Sequence, residues 1–245
     1  MKHWCRSYIF LLKWEILRSK RELPFFLILQ AMISLGVVIG FSFLLPHATA
    51  QEALYLCTGS MTVSLITVGM VLAPQAVAKR KESGFLDYQR SMPVPRLALM
   101  AADATVWAAV SVPGLIVTTI VALTRFELDV ATSPLIIPTV VMVIAGTISV
   151  GYSLAYLVRP AMVNILTNSI IVIALMFAPI NFPASRLPDW LASVHNVLPF
   201  QYMAQAIRET IDVPASGVPM LPFVVLGAWC IVGLAIASRA LTHRS

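Results

Sequence analysis

Charged residues are what this sequence has least of. Asp, Glu, Lys and Arg make up 11% of its 245 residues, whereas about 25% is usual in soluble domains. Hydrophobic residues make up 59%. A soluble chain of this length could not bury so much apolar surface, so the composition excludes a cytosolic enzyme, a disordered protein and a secreted disulfide scaffold. What remains is a polytopic membrane protein.

Reactive motifs are also missing. The three cysteines are far apart and form no C-x-x-C pair, which indicates neither a disulfide framework nor a zinc site. There is no G-x-x-x-x-G-K-[ST], H-E-x-x-H or G-x-S-x-G, so P-loop nucleotide binding and protease chemistry are not expected. We predict no catalytic residue, metal site or cofactor in this chain.

Acids within the apolar segments are nearly absent. Asp103 is the only one near such a segment, although proton-coupled carriers use buried acids or histidines along their path. No ring of acids and no T-V-G-Y-G filter marks an ion channel. If the protein transports a molecule uphill, the energy is expected to come from another chain.

Six uncharged runs are long enough to cross about 30 Å of hydrocarbon, which takes about 20 helical residues. We place the spans near residues 24–45, 54–78, 99–123, 134–158, 162–181 and 219–240. A seventh run, Trp190–Ile207, is short, polar and interrupted by Pro199. It predicts two short helices, near 186–196 and 200–211, at the membrane surface or dipping into it.

The expected fold is therefore an all-α polytopic membrane protein with a single transmembrane domain over residues 1–245. Two loops are longer than the others. One is the stretch 79–98, and the other is the stretch 182–218 between the fifth and sixth spans, which holds the short external or re-entrant helices. Extra residues in otherwise tight loops are where function is expected.

Basic residues fix the predicted orientation. Fourteen Lys and Arg residues fall on the side of the six-span arrangement that carries both termini: Lys2, Arg6, Lys13, Arg18, Lys20, Arg21, Lys79, Arg80, Lys81, Arg90, Arg96, Arg159, Arg239 and Arg244. Three fall on the other side: Arg125, Arg186 and Arg208. The positive-inside rule places both termini in the cytoplasm of a plasma (inner) membrane. This distribution accounts for the net charge of +6, so no nucleic-acid partner is expected.

The segment 1–22 is predicted to be an amphipathic helix at the membrane interface. Its basic stripe consists of Lys2, Arg6, Lys13 and Lys20, and its apolar side carries Trp4, Tyr8 and Leu11. Such a helix directs lysines toward lipid headgroups. A short cytoplasmic lead-in to the first span is the alternative.

The cytoplasmic loop 79–98 can form a short helix between Lys79 and Arg90, ended by the prolines that follow. Phe85, Leu86 and Tyr88 would then project apolar surface among charges. A short helix of this kind, tied to two spans, can fit a groove on a soluble partner and transmit its movement. The alternative is a solvated basic turn.

This loop resembles the intracellular loop of ABC-2 type transporter permeases, whose pattern is roughly E-x-G-[TF]-L-[ED]-x-L-x-x-x-P-[VL]-[SP]-R. Glu82, Gly84, Phe85, Leu86, Asp87, Pro93, Val94, Pro95 and Arg96 match it, with Tyr88 at the next position. In that family the loop is the coupling helix that docks on the ATPase. The resemblance therefore assigns coupling to Glu82, Gly84, Phe85, Leu86, Asp87, Tyr88, Arg90, Pro93, Pro95 and Arg96. One departure is Ala102-Asp103, where the family often has Gly-Lys.

A second stretch, Leu198–Arg208, resembles the family segment N-P-[LF]-x-[YH]-x-x-x-x-[LI]-R before the last span, with Leu198 in place of Asn. The resemblance implies a permease subunit of an ABC exporter. It would pair with an identical or related permease and bind two ATPase subunits. These must be separate chains that hold the ATP and Mg²⁺.

In that family the second and fifth spans line a path at the dimer interface. The candidates are Ser60, Ser64, Thr67 and Met70 on the second span, and Asn164, Asn168, Ile171, Leu175 and Met176 on the fifth. Asn164 and Asn168 share a helix face and could instead hydrogen-bond another helix. Candidates for an external gate are Arg186, Trp190 and His195, for which interfacial anchoring is the alternative.

The aliphatic and Met-rich walls favour an amphiphilic or hydrophobic cargo, such as a drug, an antibiotic or a lipid. Haem or glycan export is an alternative within the same family. Outside the family, the alternatives are a non-transporting membrane scaffold or sensor, and a channel that needs no ATP.

Overall fold

The computed structural model describes residues 2–44, 49–126, 133–212 and 217–242. These residues form helices and no strands. The helices are α1 (Lys2–Ser19), α2 (Leu23–Leu44), α3 (Ala50–Ile66), α4 (Ala73–Glu82), α5 (Phe85–Ser91), α6 (Arg96–Arg125), α7 (Ile136–Leu157), α8 (Pro160–Phe177), α9 (Asp189–His195), α10 (Pro199–Ile211) and α11 (Leu221–Thr242). A π-helical segment, Thr67–Leu72, joins α3 to α4, and a short 3₁₀ turn, Ala184–Arg186, precedes α9.

Six segments of the described chain are long and apolar enough to span a membrane. They are α2, the continuous helix Ala50–Glu82, α6, α7, α8 and α11. The predicted all-α, six-span fold is confirmed. The short helices predicted before the last span are confirmed as α9 and α10, where Pro199 is the first residue of α10 rather than an interruption of a longer helix. Some positions used in the sequence predictions lie outside the described residues, namely residues 1, 45 and 213–216, and Arg244.

The second span, Ala50–Glu82, is the central helix of the bundle. Nearly all of its apolar stretch is buried, whereas the first, fifth and sixth spans expose most of theirs. Ser60, Ser64, Thr67 and Met70 are all buried in the chain. Ser64, for example, accepts a hydrogen bond from Gln30 of the first span. The four predicted path residues of this span therefore form helix contacts inside the chain.

The second and fourth spans approach each other closely at two glycines. A Cβ at Gly151 of α7 would overlap the backbone carbonyl oxygen of Gly69. Gly69 lies in the π-helical segment Thr67–Leu72. Pro74 follows this segment and has no N–H to continue the regular ladder. Because neither glycine has a side chain, the two backbones can touch. The wider π-helical turn of the second span therefore lies at its contact with the fourth span.

The N-terminal helix α1 packs against the start of the third span. Leu11 is buried with Ala98, Leu99 and Ala102 of α6, and the hydroxyl groups of Tyr8 and Thr105 are 2.8 Å apart. Tyr8 and Leu11 of the predicted apolar side therefore contact the third span, whereas Trp4 is exposed. The outer side of α1 exposes other large apolar residues, Ile9, Phe10, Ile16 and Leu17, as suits a helix at a membrane interface.

Candidate functional site

The short helix of the family-like loop begins later than predicted. Lys79–Glu82 continue the second span as the end of α4, and only Phe85–Ser91 form the separate helix α5. The break lies at Gly84, whose φ of 71° is in the left-handed region that favours glycine. Glycine at this position therefore turns the chain out of the second span and starts α5 in a new direction.

The apolar side of α5 faces the protein. Leu86 is only 3% exposed. The ring of Phe85 stacks on Trp14 of α1 at 5.6 Å between centroids, and the Arg18 guanidinium lies 4.9 Å from its centre. Tyr88, in contrast, is 59% exposed. The prediction that Leu86 projects outward is therefore wrong, because α1 packs across that side. Phe85 is half-buried, and Tyr88 is the exposed residue of the three.

The other loop residues predicted for coupling also fall into two groups, those that contact the rest of the protein and those that are exposed. Arg90 lies 3.2 Å from the Asp87 carboxylate and donates to the carbonyl of Ala240 at 3.5 Å, near the end of the sixth span. Pro95 caps the start of α6. The exposed members of the predicted set are Glu82, Gly84, Asp87, Tyr88, Pro93 and Arg96.

A buried ion network lies beneath α5. The Arg80 guanidinium at the end of the second span binds both Asp103 carboxylate oxygens, at 2.9 and 2.7 Å. Tyr152 of the fourth span donates to the same carboxylate at 2.5 Å. The other side of the guanidinium lies 3.6 Å from Glu15 of α1. All four side chains are buried, and buried charges are tolerated only when paired and hydrogen-bonded.

Glu15 connects this network to α5. Its carboxylate is 1% exposed and forms a 2.6 Å ion pair with Arg18. The same carboxylate accepts a 3.1 Å hydrogen bond from Gln89 of α5. With Arg80 and Asp103, these residues supply two positive and two negative charges, so the network is neutral. It joins α1, α5 and the second, third and fourth spans.

A separate set of hydrogen bonds joins the second span to the fourth. The ammonium of Lys81 donates to three backbone carbonyls at the end of α7, those of Ala155, Tyr156 and Val158, at 3.2, 3.3 and 3.1 Å. A cation at this position satisfies free carbonyls and complements the helix dipole. The basic residues of this loop thus hold helix ends together, a role that the positive-inside count did not identify.

A model of the ABC-2 type transporter family matches residues 6–211, a stretch that contains α5 and every residue of the network beneath it. The chain belongs to this family. It is accordingly a membrane permease of an ABC transporter, a transport subunit of a kind that is generally not catalytic itself. No curated protein matches the sequence.

The fifth span of this ABC-2 permease presents polar side chains on its outer face. Asn164 and Asn168 are both exposed. The inner face is used by Thr167, which accepts a 3.0 Å hydrogen bond from Gln75 of the second span. Of the other predicted path residues on this span, Met176 is exposed and Ile171 and Leu175 are half-buried. The fifth-span candidates therefore reach the surface, unlike those of the second span.

The three residues predicted at the external gate lie in different settings. Arg186 is an exposed partner of Glu52 at 3.3 Å, and Trp190 is 69% exposed. His195 is buried instead, and desolvation lowers the pKa of its imidazole despite a hydrogen bond with the backbone of Phe177. His195 thus packs α9 onto the end of the fifth span, a position that does not suit an exposed gate.

The family-like arginine before the last span has a structural role that sequence reasoning did not assign. Arg208 of α10 donates to the Ile180 carbonyl at 2.9 Å and to the hydroxyl of Thr58 at 3.2 Å. Its guanidinium also lies 3.6 Å from the centre of the Tyr55 ring. Arg208 therefore ties α10 to the second span and to the segment after the fifth.

Proposed function

We propose that this permease works as an ATP-driven exporter, with two separate ATPase subunits and a second permease, in a plasma membrane with both termini cytoplasmic. The observation that carries the proposal is the fixing of α5 to the spans. The buried residues Glu15, Arg80 and Asp103 join it to the bundle. A surface helix held in this way suits the transmission of force, since a solvated loop would absorb the movement.

The proposed docking face of α5 is its exposed side, which carries Asp87 and Tyr88. An aromatic side chain that is largely solvent-exposed and flanked by charges is a common anchor in protein interfaces. Movement of the ATPase would pass from α5 to α1 through Gln89 and Glu15. From there it would reach the second and third spans through the Arg80–Asp103 pair. ATP and Mg²⁺ are bound by the partner.

The cargo path is proposed to follow the fifth span, where two such chains would meet. Asn164 and Asn168 lie on a face that a single chain leaves exposed, and unpaired amides are costly in hydrocarbon. A second permease would cover them. Around these amides the face is aliphatic, with Ile165, Val172 and Met176 exposed, which favours an amphiphilic or hydrophobic cargo such as a drug, an antibiotic or a lipid.

The docking face can be tested by capture of the ATPase encoded nearest to this chain. Tyr88→Glu is expected to lower capture about tenfold or more, because an exposed aromatic anchor is typically worth at least that much in an interface. The fold should be unaffected, since Tyr88 is exposed. The measurement is co-purification from membranes at matched amounts of permease.

The matched control is Arg159→Glu, which changes an exposed residue of another loop at the same end of the bundle. It should capture the ATPase normally. If Tyr88→Glu also captures it normally, α5 is not the docking helix. If the wild type captures no ATPase, a scaffold, a sensor or a channel becomes the better explanation.

The pairing surface can be tested by disulfide cross-linking. Asn164→Cys, in a background with Cys5, Cys57 and Cys230 replaced, is expected to give a covalent dimer on mild oxidation in membranes. The control is Ile231→Cys, because Ile231 is also exposed but lies on the sixth span. A dimer through Ile231 with none through Asn164 would place the interface on another face.

A further inference from the structure

A polar pocket lies at the end of the bundle opposite to α5. It has a volume of about 210 Å³ and is lined by Tyr55, Pro179, Gln201, Gln205, Arg208 and Glu209. A water molecule occupies about 30 Å³, so the pocket has room for a small polar group and the first carbons attached to it. One wall is α10, where Gln201, Gln205 and Glu209 recur every four residues and therefore share a helix face.

The protein uses up most of the hydrogen-bond donors in this pocket. Gln205 donates to one Glu209 carboxylate oxygen at 2.7 Å and so fixes the carboxylate. Arg208 directs its donors to Thr58 and to the Ile180 carbonyl, and its guanidinium covers the Tyr55 ring. The cation next to Glu209 in sequence is thus turned toward α3 and the segment after the fifth span.

Two hydrogen-bond acceptors in the pocket are left over. The Oε2 atom of Glu209 and the Oε1 atom of Gln201 are shielded from solvent and have no hydrogen-bond partner in the described part of the chain. Glu209 also has no salt bridge to any residue that the structure describes. Buried acceptors are costly when unsatisfied. Glu209 itself is half-buried, and the donors of its cationic neighbour Arg208 are directed elsewhere. The pocket therefore lacks hydrogen-bond donors for these two acceptors.

We infer that this pocket binds a protonated amine, with Glu209 and Gln201 as its acceptors. An ammonium group supplies three donors, no acceptor and one positive charge, so it can donate to both free acceptors and pair with the carboxylate. A hydroxyl group would supply one donor and no charge. The amine can belong to an exported cargo, a reading that depends on the proposed function, or to the headgroup of an aminophospholipid. All residues that line the pocket belong to this chain, so amine binding can be measured without the ATPase and without transport.

The test uses the purified full-length permease in phosphatidylcholine nanodiscs, without ATPase. Binding of octylamine, which is protonated at neutral pH, is compared with binding of octanol by calorimetry. Octylamine should bind to the wild type, and Glu209→Gln should weaken it about tenfold, as expected for the loss of a charge-assisted contact. Gln201→Leu should weaken it less, about threefold, as expected for a neutral hydrogen bond. Asp189→Asn, which changes an exposed acid outside the pocket, should have no effect.

A second arm separates the two sources of the amine. If an aminophospholipid occupies the pocket, phosphatidylethanolamine in the nanodiscs should weaken octylamine binding to the wild type. Unchanged binding would favour a cargo amine. Equal binding of octanol and octylamine would overturn the inference, and so would octylamine binding that neither Glu209→Gln nor Gln201→Leu weakens. Because no ATPase is present, failure here leaves the proposed transport function standing, and failure of ATPase capture leaves this site standing.

Discussion

Arg80→Met is expected to destabilise the permease by about 3–5 kcal/mol, as is usual when one partner of a buried ion pair is removed. Arg80 binds both oxygens of Asp103 and approaches Glu15. The substitution would leave the Asp103 carboxylate buried, with the Tyr152 hydroxyl as its remaining partner among the described residues. The measurement is the thermal unfolding of detergent-extracted protein, with the monodisperse fraction as a second readout.

A double substitution distinguishes a lost charge from lost packing. Arg80→Met with Asp103→Leu should recover part of the stability lost in either single variant, because an apolar pair of similar volume often replaces a buried ion pair without cost. The remaining loss is expected because the buried Tyr152 hydroxyl no longer has its acceptor. Glu15 would keep Arg18 and Gln89 as partners. The control, Arg159→Met, removes an exposed cation at the same end and should change stability little. A double variant no more stable than the single ones would contradict an electrostatic origin.

The double variant also tests transmission. If the network carries movement from α5 to the spans, the folded double variant should still capture the ATPase through Tyr88. It should nevertheless stimulate ATP hydrolysis less on addition of cargo, since the directional bonds between α1, α4 and α6 are gone. Wild-type stimulation in a stable double variant would limit the network to a structural role.

The spans and the short helices before the last one were predictable because their signals are local. An uncharged run of about 20 residues has one common explanation, and Pro199 fits only the first turn of a helix or a break. The prolines after Arg90 predicted the end of α5 to within one residue, at Ser91. Its starting point was missed because helix propensity continues through Lys79–Glu82, and only the backbone shows that Gly84 ends the helix.

The side chains that hold the site together were not predictable from local patterns. Glu15, Arg80, Asp103 and Tyr152 are far apart in the sequence, and only tertiary packing brings them together. The burial of the second span was missed for a different reason. Lipid-facing and helix-facing positions are equally apolar in a membrane, so composition could not separate Ser60 and Ser64, which are buried, from the exposed Asn164 and Asn168.

Gly151→Ala is expected to prevent normal packing of the fourth span on the second, at a cost of about 3 kcal/mol, the upper end of the usual range for overpacking. The new methyl group would overlap the carbonyl oxygen of Gly69. That obstacle is backbone, in a span buried on nearly all sides, so no side-chain rotation can relieve it. The expected result is a large loss of folded protein, measured as the monodisperse fraction and the thermal midpoint after extraction.

Gly146→Ala is the matched control, since it makes the same change five residues earlier in the same helix. Its Cβ would lie 3.8 Å from the end of the flexible Met203 side chain, an ordinary contact. Alanine also has a better helix propensity than glycine by about 1 kcal/mol, so Gly146→Ala should be neutral or mildly stabilising. Equal stability of the two variants would mean that the Gly69–Gly151 approach is looser than described, and that the fourth span can slide on the second.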